Sequence, residues 1–325
     1  MNVDAQSVRR LLGDNATVDH PLAALTTYRV GGPAAVFVRA DEEEQLSRVA
    51  EFAALHSLPV LVIGRGSNML VSDRGFAGIV VQLGDFASNV EVVVDEALVV
   101  TGAAVLLPVL ARRTAAAGLT GFEWAVGVPG TIGGAVRMNA GGHGSDMKAS
   151  LTGARLFDWR DGSLREVAVA DLELRFRGSA IGDDRVVLGA RLGLATGDRD
   201  TCEATIEEIV RWRRENQPGG QNAGSVFVNP VPGEVTAGRL IDECGLRGLR
   251  IGTASVSTKH ANFIQADEGG RSEDVVAVMS HVRRVVADKT GHVMRTEVRL
   301  VGFSDTHDFD DARSVPFADG GDDAR

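Results

Sequence analysis

The rhythm of apolar and polar positions changes about two-thirds of the way along this chain. Between Ala34 and Ala195 the apolar residues gather in short, mostly β-branched runs. "AAVFVRA" (34–40), "PVLVI" (59–63), "GIVVQL" (78–83), "VEVVVD" (90–95) and "ALVVT" (97–101) read as strands, and "ARLFDW", "SLREVAV", "DLELRFR" and "RVVLGARLGLA" continue the series. In "LELRFR", Leu172, Leu174 and Phe176 alternate with Glu173, Arg175 and Arg177, which predicts a strand end with Arg177 on its polar face. Helical spacing interrupts the series twice. After Asp41, a predicted cap with Glu44 three residues on, Leu46, Val49, Ala50 and Ala53 form one stripe. The second helix runs from about Leu106 to Ala117. It closes "ALVVTGAAVLLPVLA", which Thr101, Gly102 and Pro108 divide into strand, turn and helix, so the run is no membrane span.

Beyond "TGDRD" (196–200) the pattern becomes one of helices alternating with strands. Helices are predicted over Cys202–Glu215, Val235–Cys244 and Ser272–Asp288. The last carries Val275, Val278, Met279, Val282, Val285 and Val286 on one stripe, with Ser272 as cap and Gly291 past its end. "LRIGTASVS" and "VMRTEVRLVG" read as strands. In the second, Glu297 sits between Arg295 and Arg299 on one face, opposite Met294, Val298 and Leu300, the pattern of an exposed strand with alternating charges. These elements predict an α+β protein with a β-rich first part and a compact C-terminal domain.

Composition narrows the function classes. With 44% apolar and 24% charged residues in 325, the chain is an ordinary globular one, long enough for two or three subdomains. A net charge of −10 argues against nucleic acid as a partner. Half of that charge lies in Ser304–Arg325, where seven Asp oppose two Arg without periodicity, so a disordered tail is expected. The first twenty residues hold no apolar export core, and Cys202 and Cys244 form neither a disulfide framework nor a metal-ligand spacing. A cytoplasmic protein without a metal or membrane partner is expected, a monomer by default. His143 reads as a loop residue, not a base.

Glycine carries the strongest chemical signal. "GVPGTIGGAVRMNAGGHG" (127–144) holds seven glycines in eighteen residues, spaced by Val, Pro, Ile, Met and Asn, which is not the composition of a flexible linker. "GRGSNMLVSD" (64–73) leaves a buried strand directly into two glycines, and "TTYRVGGPA" (26–34) holds another pair. Alone, the first reads more readily as an ordinary polar turn than as a ligand loop, and the second is a weaker signal still. No G-x-x-x-x-G-K-[ST] or G-x-G-x-x-G fingerprint is present. Three such loops together suggest main-chain N–H groups brought to a large, pyrophosphate-containing ligand.

From about His20 to Phe303 these blocks resemble the UDP-N-acetylenolpyruvoylglucosamine reductase family, flavoenzymes that complete UDP-N-acetylmuramate for peptidoglycan. The resemblance implies a two-part FAD-binding domain of the vanillyl-alcohol-oxidase (PCMH) type and a smaller α+β substrate-binding domain. The expected divisions are an extension over 1–19, flavin subdomains over 20–75 and 76–195, a C-terminal domain over 196–303 and the tail. Non-covalent FAD is then expected on Gly64, Arg65, Gly66, Ser67, Asn68, Gly127, Gly130, Thr131, Gly133, Gly134, Asn139 and Gly141, with NADPH as hydride donor. "FRGS" (176–179) matches the family's aromatic-Arg-x-Ser, with Phe in place of the usual Tyr, and implies that Arg177 steadies an enolpyruvyl carboxylate. "AGSVFVNP" implies Ser225 as proton donor and Asn229 as a substrate contact; the terminal Glu-Val-Arg-x-x-Gly implies a catalytic Glu297. Alone, Arg177 reads as solvated surface and Ser225 as a turn residue. Tyr28 is the only tyrosine, so the chain resembles the shorter family type that lacks a substrate-binding tyrosine loop.

The implied reaction carries hydride from NADPH through FAD to the β-carbon of UDP-N-acetylglucosamine enolpyruvate, with a proton delivered to its α-carbon. The resulting enediolate needs fixed cationic and hydrogen-bonding groups, which Arg177 supplies as a planar fork. An ionised Glu297 opposes that charge, so a protonated Glu297, or one that orients another donor, is expected. An oxidase on the same flavin-binding fold and a non-catalytic flavin binder are the alternatives. The joint presence of the Ser225 and Glu297 blocks speaks against the first, and retention of all three matched positions against the second.

Overall fold

The structure, a computed structural model, describes residues 5–303; the expected disordered tail lies outside the described residues. The first sheet has the spatial order Ala16–Pro21, Pro33–Ala40, Phe76–Leu83, Val60–Val62, antiparallel at its first pairing and parallel at the others. Parallel pairing needs a crossover, and α2 (Glu44–His56) supplies one, burying Leu46, Val49, Phe52 and Ala53. Val8 and Leu12 of α1 (Ala5–Leu12) join the same core. Residues 5–19, expected as an extension, therefore form a helix and most of a strand of this layer. The division expected at 75/76 also moves, because Phe76–Leu83 lies inside this sheet. Asp41 does not cap α2. Its carboxylate is taken by Arg39 (2.9 Å) and by the Asn15 amide, and the Gln45 side chain instead accepts from the Asp41 and Glu42 N–H groups at 2.7 and 3.0 Å.

The second sheet is antiparallel throughout, in the order Leu164–Ala168, Leu151–Asp158, Arg185–Gly193, Leu98–Gly102, Val90–Val93. The helices α3 (Leu107–Ala116) and α4 (Ile132–Met138) contribute to its core. The next helix, α5 (Arg199–Asn216), buries Cys202, Ile206 and Ile209 in that same core. Its apolar stripe carries this layer past the expected division at 195/196, to about residue 216. The predicted strand "DLELRFR" is absent. Val169–Leu172 is a single 3₁₀ turn, and left-handed backbone at Glu173 (φ 45°) and Arg177 (φ 54°) breaks the extension. Leu172 and Leu174 are still buried, so the alternation records a loop lying on the core.

A third core joins α6 (Ala237–Glu243), α7 (Ser272–Thr290) and a small sheet of Arg250–Ile251, Ala254–Val256 and Ile264–Ala266. Gly291 closes α7 in left-handed backbone (φ 75°), as the sequence predicts. Ser272 is not its cap. The Asp73 carboxylate, far away in sequence, accepts from the Ser272 N–H at 2.9 Å and the Glu273 N–H at 3.4 Å. The chain then returns: only Arg299–Val301 of "VMRTEVRLVG" is strand, and it runs parallel to Met69–Val71, directly after the Gly64–Asn68 loop. That return brings the C-terminal segment beside the first glycine-rich loop.

Candidate active site

A cleft of about 260 Å³ opens between the two sheets. Gly64 and Arg65 form one side, Thr131, Gly133 and Gly134 another, and Val62, Ile63, Leu106, Ile181 and Val187 give it apolar walls. Gln82, Arg137 and Arg185 also line it, and nothing in the local sequence marks them, because each comes from a regular element whose cleft-facing side is decided by packing. Among the described residues, no protein group accepts a hydrogen bond from the N–H groups of Arg65, Gly66, Ser67 and Asn68. Free main-chain donors beside arginines and apolar walls suit a ligand that is both anionic and aromatic. The residues present therefore fit FAD.

The glycines divide by reason. A Cβ at Gly64 would collide with the Thr131 hydroxyl, one at Gly66 with the Leu25 carbonyl at 2.5 Å, and one at Gly127 with the His143 ring at 2.9 Å. At Gly141 the obstacle is Asp146 (2.6 Å) and at Gly133 it is Ala103 (3.0 Å). These five let protein backbone approach protein. Among the seven glycines expected at the cofactor, only Gly130 and Gly134 meet no protein atom closer than 3.5 Å. Of the twelve expected cofactor positions, Gly64, Arg65, Thr131, Gly133 and Gly134 line the cleft. Gly66, Ser67, Asn68, Gly127, Gly130, Asn139 and Gly141 stand behind or beside it. Asn139 is fully engaged inside the protein: its amide donates to Asp146 (2.9 Å) and to the Arg175 carbonyl (3.2 Å), and its carbonyl accepts from the Lys148 N–H (2.9 Å). It holds the 141–146 hairpin against the turn that carries Arg177.

That turn is a tight one, closed by reciprocal main-chain bonds between Arg175 and Gly178 at 3.0 and 3.1 Å. The Phe176 ring lies 5.0 Å from the Arg177 guanidinium carbon, so Phe in place of Tyr keeps the cation–π contact. The Ser179 hydroxyl donates to the Arg137 carbonyl at 2.7 Å, tying the turn to α4. Arg177 Nε donates to Glu297 Oε1 at 2.7 Å, and an Nη reaches the Gly141 carbonyl at 3.3 Å. The rest of its fork faces outward; its side chain is 32% exposed.

Glu297 is not on an exposed strand face as the alternation predicts; its side chain is 11% exposed. Its N–H donates to the Val226 carbonyl at 2.8 Å, and Val228 N–H donates to the Arg295 carbonyl at 2.9 Å, which lays the Ser225 segment alongside it. Ser225 itself is half-buried and its hydroxyl is engaged by no other described residue. Asn229 is exposed, and its Oδ1 accepts from the Ala237 N–H at 3.0 Å at the start of α6. His143 (φ 52°) lies in the hairpin with its ring edge-on to Trp212 at 5.2 Å, its pKa lowered by burial and then by Arg213.

Burial pushes the Glu297 carboxyl above its usual range, and the Arg177 guanidinium opposes this without cancelling it. The native state therefore keeps a proton that the unfolded chain has released, so this group's contribution to stability falls as pH rises from roughly 4.3, the ordinary glutamate value, through the raised one. Glu297→Gln removes the titration. Relative to wild type, the variant should gain stability as pH climbs through that window, as measured by urea unfolding at several pH values. Parallel pH curves for the two proteins would contradict the assignment.

Comparison with known proteins gives two family matches. An FAD binding domain covers residues 34–168, and the C-terminal domain of UDP-N-acetylenolpyruvoylglucosamine reductase covers 216–301. The second begins where α5 ends. A UDP-N-acetylenolpyruvoylglucosamine reductase from Gloeobacter violaceus is 42% identical over 86% of this chain and 94% of its own length. One from Symbiobacterium thermophilum is 37% identical over 93% of this chain and 98% of its own. The crystal structure of UDP-N-acetylenolpyruvylglucosamine reductase from Thermus caldophilus superposes with a TM-score of 0.75 at 33% identity, over 88% of this chain and 98% of that one. The fold is accordingly a two-part FAD-binding domain followed by a smaller α+β domain.

Proposed function

The chain belongs to the UDP-N-acetylenolpyruvoylglucosamine reductase family, and on that premise we propose that it reduces UDP-N-acetylglucosamine enolpyruvate to UDP-N-acetylmuramate with NADPH. The observation that carries this reading is the convergence of three segments distant in sequence, bearing Arg177, Ser225 and Glu297, at the Asn68 end of the Gly64–Asn68 loop. Bound FAD supplies the hydride relay between nicotinamide and the alkene carbon. The free N–H groups of Arg65–Asn68 hold its pyrophosphate, with the arginines of the cleft nearby. The outward part of the Arg177 fork takes the enolpyruvyl carboxylate and stays on it as negative charge builds there. Ser225 delivers the proton to the α-carbon. Glu297, its carboxyl pushed up by burial against the pull of Arg177, accepts from Arg177 Nε and so orients the guanidinium.

The purified protein should be yellow, and acid precipitation should release the flavin. Under argon, NADPH consumption should match product formation one to one when the enolpyruvyl nucleotide is present. Equal consumption in air with and without that nucleotide means that oxygen is the acceptor, and an oxidase is the better reading. Gly134 lines the cleft and a Cβ there meets no protein atom within 3.5 Å, whereas a Cβ at Gly133 would press on Ala103 at 3.0 Å. Gly134→Val should therefore weaken flavin binding while the apoprotein's melting temperature changes little, and Gly133→Val should lower that temperature. The two measurements are flavin titration and apoprotein melting.

A further inference from the structure

The Gly64–Asn68 loop ends on a residue whose side chain is turned away from the cleft. Asn68 Nδ2 donates to the Glu297 carbonyl at 3.0 Å, and the Asn68 carbonyl accepts from the Arg299 N–H at 3.0 Å. The two bonds bracket Val298, so one asparagine grips the main chain immediately after the glutamate, while the Val226 carbonyl accepts from the Glu297 N–H before it. On its other side, the same loop presents N–H groups that find no acceptor among the described residues. Glu297 in turn accepts from Arg177 at 2.7 Å. A continuous path therefore runs from the cofactor-facing N–H groups, through the Asn68 amide, to the Glu297 main chain and on to Arg177.

We propose that Asn68 is a positioning residue that couples occupation of the cofactor loop to the placement of Glu297, so that the Arg177–Glu297 pair is held more firmly when the loop is occupied by its ligand. The proposal rests on the reading that FAD occupies the cleft. Its physical basis is local stability. A loop with unsatisfied N–H groups samples open states, and a ligand that satisfies them removes those states for everything hydrogen-bonded to the loop. A second tie holds the same segment without touching the loop: Asp183 accepts from Arg299 (2.7 Å) and from Arg137 of α4. It offers a control.

The test is amide hydrogen exchange of the full chain, freed of flavin and then reloaded with FAD, with no nucleotide substrate or NADPH present. In the wild type, FAD should slow exchange roughly tenfold both in peptides over 64–71 and in peptides over 295–301. Asn68→Asp keeps the shape but replaces the donor by an acceptor facing the Glu297 carbonyl. It should retain protection at 64–71 and lose it at 295–301. Asp183→Asn should raise basal exchange at 295–301 and leave its FAD-dependent slowing in place. Wild-type protection confined to 64–71 overturns the proposal, as does undiminished coupling in Asn68→Asp. Absence of protection in both segments means that FAD does not bind, which overturns the cofactor reading and the proposal with it.

Discussion

Ser225→Ala should slow reoxidation of the reduced flavin by UDP-N-acetylglucosamine enolpyruvate by ~10²–10⁴-fold, the usual loss when a positioned general acid is removed. Flavin reduction by NADPH should stay near its wild-type rate, because that half of the cycle protonates no carbon. Substrate binding should change little, since a serine hydroxyl contributes little to holding a nucleotide sugar. The environment supports the assignment. The hydroxyl is half-buried, engaged by no other described residue, and carried on the segment whose next carbonyl accepts from the Glu297 N–H. It is therefore free to donate to a ligand while its main chain is held. Anaerobic stopped-flow absorbance of the flavin, run in both directions, separates the halves. Equal slowing of both, or of neither, would remove Ser225 from the role of proton donor.

Arg177→Lys should slow the same oxidative half by roughly 10–100-fold and raise the substrate concentration needed for half-saturation, the scale of one or two charge-assisted hydrogen bonds. The fork is already divided: Nε serves Glu297, an Nη reaches Gly141, and the remainder is available to a carboxylate. One ammonium cannot occupy these directions together. Lysine also surrenders the planar face that lies against Phe176. The effect should thus appear in both the limiting rate and the substrate dependence, unlike Ser225→Ala, which should alter the rate alone. A lysine variant with unaltered substrate dependence would place the carboxylate on some other group.

Much of this protein is determined by local sequence. Alternating β-branched runs specify most of the strands, because a half-buried pleated surface selects them wherever they occur. The stripe from Val275 to Val286 and the glycine at 291 specify α7 and its end for equally local reasons. The motifs around Arg177, Ser225 and Glu297 are legible too, since each is a short contiguous block. Tertiary structure decided what depends on partners far along the chain. Asp41 gave up its cap to Gln45 because Arg39 and Asn15 claim its carboxylate, and α7 is capped by Asp73 instead of its own Ser272. Alternation misread "LELRFR" as a strand and overextended the one in "VMRTEVRLVG", of which only Arg299–Val301 is strand, because a loop lying on a core alternates buried and exposed residues just as a strand does. The glycine-dense run drew attention for the right region but not for a single reason: a Cβ at Gly127, Gly133 or Gly141 would meet protein within 3.0 Å, whereas Gly130, Gly134, Gly142 and Gly144 meet nothing closer than 3.5 Å. Arg137 and Asp183 carry no local signal, and the glycine loop marks Asn68 without marking its tie to Glu297, since these contacts exist only once residues 64–68, α4 and the returning C-terminal segment meet. Periodicity reports the neighbours a residue has along its own element, and the site is built from neighbours it acquires only on folding.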